Sequence, residues 1–254
     1  MNYLERISYI GGSFNAVDSE KFQLAIKLLS ESLGHFNETL FCADNLITWN
    51  RNLSFLRDPF YARIVNDKNL TSEEQSIVWR TYILLHFAEL SGQADGDFLE
   101  LGCHTGYTAS QVVKKVDFSR LKKEYYLYDL FEWKLGDEHN LLEGHKNPQM
   151  FEDVVSKFSG LSFVHVIKGS VPDSFSQGFP EKIAFAHIDM NHPDPEAGAL
   201  VQILPRLSRG GAVVFDDYGW WVHSAQKIVI DPIVATHNLK ILELPTGQGL
   251  LLKP

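Results

Sequence analysis

Apolar and polar positions follow two different rhythms along this chain. From Asp18, the residues Phe22, Leu24, Ala25, Ile26, Leu28, Leu29 and Leu33 recur at helical spacing, with Asp18 or Ser19 placed to cap the first turn. Residues 38–57 are rich in apolar side chains without a clear period and are expected to be mostly helical. Thr71 followed three residues later by Glu74 is a capping box. The helix it opens carries Ile77, Val78, Tyr82, Leu84, Leu85, Ala88 and Leu90 and stops at Ser91-Gly92. Residues 1–17 contain Gly11-Gly12-Ser13 and little periodicity, and read as a loosely docked lead-in. Residues 1–92 are therefore expected to form a helical N-terminal segment that covers a ligand mouth, contacts substrate or pairs subunits.

From residue 93 the pattern changes to short apolar runs, each closed by a polar residue and followed by a helix. Phe98-Leu99-Glu100-Leu101 leads into Gly102, with a helix over 108–116. Tyr125 to Tyr128 ends at Asp129, Leu161 to Ile167 at Lys168-Gly169-Ser170, Ile183 to Ile188 at Asp189, and Ala212 to Phe215 at Asp216-Asp217. Helices are expected around 149–158, 171–176, 195–207 and 222–236. Strands alternating with helices make a parallel α/β sheet with right-handed crossovers. The tail differs, because residues 240–244 and 249–252 flank Pro245-Thr246-Gly247-Gln248 and read as an antiparallel hairpin at one edge.

Ligands of open α/β sheets lie beyond the carboxyl ends of the strands. Here those ends carry Glu100, Asp129, Gly169-Ser170, Asp189 and Asp216-Asp217. In the turn Gly102-Cys103-His104-Thr105-Gly106, the glycines admit backbone angles closed to other residues, and the helix start that follows presents free N–H groups. His104 stands where a dinucleotide fingerprint would have its middle glycine, so the turn suits a ligand with a cation and an amino acid better than one with a pyrophosphate. S-adenosylmethionine is such a ligand. Asp129, one βα unit later, is placed to accept from two ribose hydroxyls or else to cap the next helix. Phe131 and Trp133 behind it are candidate walls for an adenine.

Asp189 and the pair Asp216-Asp217 end what should be neighbouring strands. Three carboxylates that close need a positive partner. Lys227 could supply one, and hard oxygen ligands favour Mg²⁺ or Mn²⁺. Gly219 permits the bend that would let adjacent aspartates share an ion. The plainer reading has one of the pair bind metal and the other cap the helix.

Composition narrows the partners. The 254 residues are 44% hydrophobic, enough for a substantial core, and 23 Lys and Arg against 32 Asp and Glu leave a formal charge of −9. No basic run offsets that charge, which disfavours nucleic acid and anionic membrane as partners. Two distant cysteines, Cys42 and Cys103, make no disulfide or metal pattern and point to a reducing, cytoplasmic setting. The N-terminus lacks the apolar stretch of a signal peptide, and no window approaches a membrane span.

Taken together, Gly96-Asp97-Phe98-Leu99-Glu100-Leu101-Gly102 with Gly106, Tyr128-Asp129-Leu130-Phe131-Glu132, His187-Ile188-Asp189-Met190, and Leu204-Pro205-Arg206-Leu207-Ser208-Arg209-Gly210-Gly211-Ala212-Val213-Val214-Phe215-Asp216-Asp217-Tyr218-Gly219 resemble the macrocin O-methyltransferase (TylF) family. The resemblance covers residues 58–238, and its most specific part is the Asp-Asp-Tyr-Gly ending. It implies a Rossmann-like class I methyltransferase over residues 93–254, with a seven-stranded, mostly parallel sheet ending in an antiparallel hairpin. The activity it implies is metal-dependent O-methylation of a sugar hydroxyl, free or within a glycoside or nucleotide sugar. By this resemblance S-adenosylmethionine would lie on Glu100, Gly102 and Asp129, and the turn and strand ends add Cys103, His104, Thr105, Gly106, Phe131, Gly169, Ser170 and Asp189 as candidate cofactor contacts. Mg²⁺ would lie on Asp189, Asp216 and Asp217, with Asp189 also the base and His192 its best rival ahead of His139, His145 and His223. A homodimer is expected.

Two positions depart from the family pattern. Met190-Asn191 replaces a Gly-Asp pair after the first metal aspartate, and Cys103-His104-Thr105 replaces an arginine-containing turn. The polar loop over 134–148 has the length of a lid, and Trp220-Trp221 could stack on a sugar face or pack internally. Two other readings stay open: a metal-dependent catechol or phenolic O-methyltransferase, and a cofactor-binding interaction protein without catalysis.

Overall fold

The computed structural model describes residues 6–132 and 147–254. The chain divides into two compact units, Met1–Tyr82 and Ile83–Pro254. In the first unit, β1 (Tyr9–Ile10) and α1 (Ser19–Ser32) precede the hairpin β2 (Phe41–Ala43) and β3 (Leu46–Thr48). The helices α2 (Pro59–Asn66), α3 (Ser72–Ser76) and α4 (Val78–Ser91) follow, the last running on past Tyr82.

Caps behave as their residue types dictate. Asp18 accepts from the Lys21 amide at 3.0 Å, and the Thr71–Glu74 box closes with bonds of 3.1 and 2.8 Å. Three expectations are corrected. Residues 41–48 form a hairpin because Asp44 and Asn45 both take positive φ, 52° and 56°, which suits a two-residue turn and which these residue types tolerate. Tyr9 and Ile10 are not loosely docked: they pair in parallel with Phe41 and Cys42, and the Tyr9 hydroxyl donates to the Gln75 carbonyl at 3.1 Å. The helix opened by Thr71 breaks at Ile77, so α3 and α4 are separate. A buried ion pair, Arg80 Nη2 to Asp44 Oδ1 at 2.7 Å with a second bond from Nε to Oδ2 at 2.8 Å, fastens the hairpin turn to the start of α4.

The second unit runs β4 (Asp97–Leu101), α5 (Tyr107–Lys115), α6 (Phe118–Leu121), β5 (Tyr125–Asp129), α7 (Met150–Phe158), β6 (Val164–Lys168), β7 (Ile183–Ile188), α8 (Pro193–Arg206), β8 (Leu207–Phe215), α9 (Ser224–Thr236), β9 (Ile241–Glu243) and β10 (Gly249–Leu252). Its seven strands lie in the order β6-β5-β4-β7-β8-β10-β9. The first five are mutually parallel, and β10 runs antiparallel to both neighbours. This is the mostly parallel α/β sheet with an edge hairpin expected from the alternating pattern, and its seven strands match the number that the resemblance implied. All six residues of β7 and the last four of β4 are buried, as strands covered on both faces must be. Leu200, Ile203 and Leu204 of α8 and Ile230 and Val234 of α9 join Leu99, Leu101, Ile188, Val213 and Phe215 of the sheet in one core. Among the described residues no helix is long and apolar enough to cross a membrane.

Chain order reverses between β4 and β7, since β5 and β6 lie on one side of β4 and all later strands on the other. The crevice beyond those two strand ends is the switch point at which such sheets bind ligands.

Candidate functional site

The turn after β4 is shaped by two glycines. Gly102 has φ of 88°, and a β-carbon there would lie 1.8 Å from the carbonyl oxygen of Asp189. Gly106 (φ 69°) precedes the first residue of α5, and a β-carbon there would press on the Phe158 ring of α7 at 2.8 Å. His104 between them also has positive φ, 46°. Asp129 at the end of β5 holds this turn in place. Its Oδ2 accepts from the His104 amide at 2.7 Å and its Oδ1 from the Phe131 amide at 2.9 Å. Lys157 of α7 donates to the Thr105 carbonyl at 2.5 Å. Cys103 is buried beneath, and burial, then the charges of Asp129 and Glu100, push its thiol well above the usual range. Phe131 is buried against Phe151, with ring centroids 5.3 Å apart. Gly169 donates its amide to the Asp129 carbonyl at 2.9 Å, so the β6 end abuts the β5 end, and Ser170 beside it is exposed.

The acids lie on the other side of the crevice. The amide of Asp189 donates to the Leu101 carbonyl at 2.8 Å and that of Asp216 to the Ile188 carbonyl at 2.9 Å, so both extend the ladder by one residue beyond their strands. Asp189, Asp216 and His187 each offer a ligand atom, all within 4.8 Å of one another. Asp217 Oδ2 lies 4.0 Å from His223 Nε2, and its charge also reaches Glu196. His192 is exposed at the start of α8, and Asn191 donates to Asp189 Oδ1 at 3.4 Å. Trp133, His139 and His145, with the loop over 134–148 except Asn147 and Pro148, lie outside the described residues.

Two electrostatic expectations change. Lys227 does not serve the acids: it donates to the Tyr218 hydroxyl at 2.6 Å and pairs with Glu243 at 3.3 Å and Asp231 at 3.7 Å. The basic side chain among the acids is His187, which sequence reasoning missed although it shares a strand face with Asp189, two residues on. Burial opposes its charge, but Asp216 and Glu100 on either side outweigh that and raise its pKa to about 10. Glu196 in the first turn of α8 was also missed. It accepts from the Met190 amide at 3.3 Å and from Gln226 at 3.0 Å. Burial, then the charge of Asp217, lifts its pKa to about 8 against the opposing pull of nearby amides.

The profile of a family described as "Methyltransferase domain" matches residues 99–218, from β4 to just past the paired aspartates. No curated protein matches the sequence. Among solved structures, the O-methyltransferase NovP is similar at a TM-score of 0.58 and 15% identity, over 93% of this chain and 99% of its own. The calicheamicin methyltransferase CalS11 is similar at a TM-score of 0.52 and 14% identity, over 78% of this chain and 91% of its own. Its apo form, described as a TDP-rhamnose 3'-O-methyltransferase of calicheamicin biosynthesis, gives 0.50 and 15% over 78% and 93%. At these identities the likeness is one of fold, and the family match is confined to residues 99–218.

Proposed function

We propose that this methyltransferase domain transfers the methyl group of S-adenosylmethionine to a hydroxyl of a sugar, with a divalent cation, Mg²⁺ or Mn²⁺, held at the acid cluster, as in the macrocin O-methyltransferase type. The observation that carries the reading is the convergence of Asp189 and Asp216 beside the glycine turn at the switch point of the sheet. The sugar acceptor is supported by the likeness to CalS11, described as acting on TDP-rhamnose.

The residues fit both groups. Gly102 and Gly106 keep side chains out of the turn, and α5 opens with no side-chain cap on its first amides, which have no partner within the helix. Ser170 stands exposed at the rim, as a contact for the adenosine half must. At the acid cluster, Asp189 and Asp216 gather with His187, a buried side chain whose ring nitrogens lie 3.8 Å from Glu100 and 3.6 Å from Asp216, and carboxylate oxygens suit a hard dication. Asp217 is the third carboxylate within this rim.

When bound, S-adenosylmethionine supplies an electrophilic methyl on a sulfonium, and a divalent cation makes an alcohol more acidic. The chain's own part is to position and to accept a proton. The glycine turn and Asp129 orient the donor, and the segment 190–192, held by Glu196, borders the acceptor. An Asp189 carboxylate oxygen would take the hydroxyl proton as the acceptor oxygen gains the methyl, and the products would be S-adenosylhomocysteine and a methyl ether.

The test is label transfer from methyl-labelled S-adenosylmethionine to a panel of nucleotide sugars, glycosides and catechols, with Mg²⁺ and after EDTA. Transfer to a sugar that EDTA abolishes is expected. Transfer confined to catechols would move the protein to the phenolic class, and cofactor binding without transfer to any hydroxyl would favour a non-catalytic role.

A further inference from the structure

A row of buried polar side chains crosses the sheet beneath the acid cluster, on four adjacent strands. Tyr125 on β5 donates its hydroxyl to Glu100 Oε2 on β4 at 2.5 Å. Glu100 Oε1 lies 3.8 Å from His187 Nδ1 on β7, and His187 Nε2 lies 3.6 Å from Asp216 Oδ1 at the end of β8. Gln248, before β10, donates to the same Asp216 oxygen at 3.2 Å and is itself met by Thr246 at 3.1 Å. Tyr125, Glu100 and His187 are each at most 1% exposed, and the neighbouring core is built of aliphatic and aromatic side chains. Apolar residues of equal volume would fill these positions at no desolvation cost, so the row needs a reason beyond packing.

The resemblance assigns Glu100 to the cofactor. Its surroundings do not fit that task, because one oxygen is taken by Tyr125, the other faces His187, and almost none of the side chain reaches the rim. We propose that Glu100 and His187 are positioning residues for the cation site. Tyr125 orients Glu100, Glu100 orients the His187 ring, and His187 with Gln248 holds the Asp216 carboxylate toward Asp189. Outer partners of this kind orient metal-ligating groups, and removing one costs roughly 10- to 100-fold in metal affinity. The inference rests on the cation reading given above.

The experiment measures two affinities on each variant: Mn²⁺ by electron paramagnetic resonance and S-adenosylhomocysteine by calorimetry. For Glu100→Gln, Mn²⁺ binding should weaken by about 10- to 100-fold, while S-adenosylhomocysteine binding stays within about twofold of the parent. A general loss of structure would loosen both. Tyr125→Phe removes one hydroxyl without changing shape, and should weaken Mn²⁺ alone by about threefold or more. It decides the matter if Glu100→Gln does not fold.

Weaker S-adenosylhomocysteine binding with Mn²⁺ unaffected would return Glu100 to the cofactor and overturn the proposal. Two unchanged affinities would make the row structural. A directly coordinated histidine nitrogen in the Mn²⁺ spectrum, lost in His187→Asn, would make His187 a ligand instead of a positioning residue. If the parent binds no Mn²⁺, the cation reading fails first and takes this one with it.

Discussion

The carbonyl oxygen of Asp189 occupies the space that any side chain on Gly102 would need, 1.8 Å from the position of a β-carbon there. The two residues end neighbouring strands, and the Asp189 amide donates to the carbonyl of Leu101. The glycine turn and the proposed base are therefore in direct backbone contact, and a shift of one presses on the other.

Gly102→Ala should be severely damaging on two counts: φ of 88° disfavours any side chain, and the clash is with backbone that has no rotamer to change. A loss of about 2–4 kcal/mol is expected, together with loss of S-adenosylhomocysteine binding, as read by thermal unfolding and calorimetry. Gly160→Ala is the control. Nothing lies within 4 Å of its β-carbon position, so its stability should stay within about 0.5 kcal/mol of the parent. Equal effects at both positions would refute the close-approach argument.

The carboxylates should not be equivalent. Asp189 and Asp216 converge with His187, whereas Asp217 leans toward His223. Asp189→Asn and Asp216→Asn are each expected to lower kcat/KM by about 100-fold or more, and Asp217→Asn by about tenfold. The reference is EDTA-treated parent enzyme, which should regain activity on adding Mg²⁺. A loss at Asp217 as deep as at the other two would show that all three carboxylates act as one set.

Glu196 ties stability to pH. Its native pKa of about 8 lies above the ordinary 4.5, so between those values the native state keeps a proton that the unfolded chain has released. Stability from this group is complete below about 4.5, falls as pH rises toward about 8, and is level beyond. Glu196→Gln keeps the hydrogen-bonding shape and removes the titration. In metal-free protein its melting temperature should exceed the parent's by more at pH 8.5 than at pH 5. Parallel melting curves across that range would exclude a native proton on Glu196.

Most of the sheet could be read from the chain, because strands buried on both faces leave unbroken apolar runs and each run here is closed by a polar residue. Ile183 to Ile188 is such a case, whereas the edge hairpin was legible from its turn residues Pro245-Thr246-Gly247-Gln248. The strands of the N-terminal unit could not be read by period, since β2 and β3 are three residues each. There the signal was the turn pair Asp44-Asn45, outweighed by the apolar residues around it. In the site, the acids at strand ends were legible because a rim residue needs no periodicity to be noticed. His187 and Glu196 were not, since a buried polar residue inside an apolar run shows its importance only through partners on other strands. Lys227 misled for the same reason: its nearness in sequence to the aspartates says nothing of Glu243, which it meets across the fold.

The adjacent tryptophans after the acid pair separate cleanly in their expected effects. Trp220 is half-buried, and its indole lies against Gly247, where a β-carbon would stand 2.2 Å from Nε1. Trp221 is 89% exposed on the short 3-10 turn Trp221–His223, which bonds from the Trp220 amide to the Asp217 carbonyl and from the His223 amide to the Trp220 carbonyl hold beside the acids. A large exposed aromatic on a turn beside the proposed acid site offers a face for stacking on the apolar side of a sugar ring. Trp221→Ala should leave the melting temperature unchanged and raise the acceptor KM by about fivefold, equivalent to ~1 kcal/mol of lost contact, with kcat and the KM for S-adenosylmethionine unaffected. Trp220→Ala should do the reverse and cost about 2–3 kcal/mol of stability through lost packing. If Trp221→Ala lowered kcat without changing the acceptor KM, the ring would be acting on the cation rim through His223 and Asp217 instead of on the acceptor.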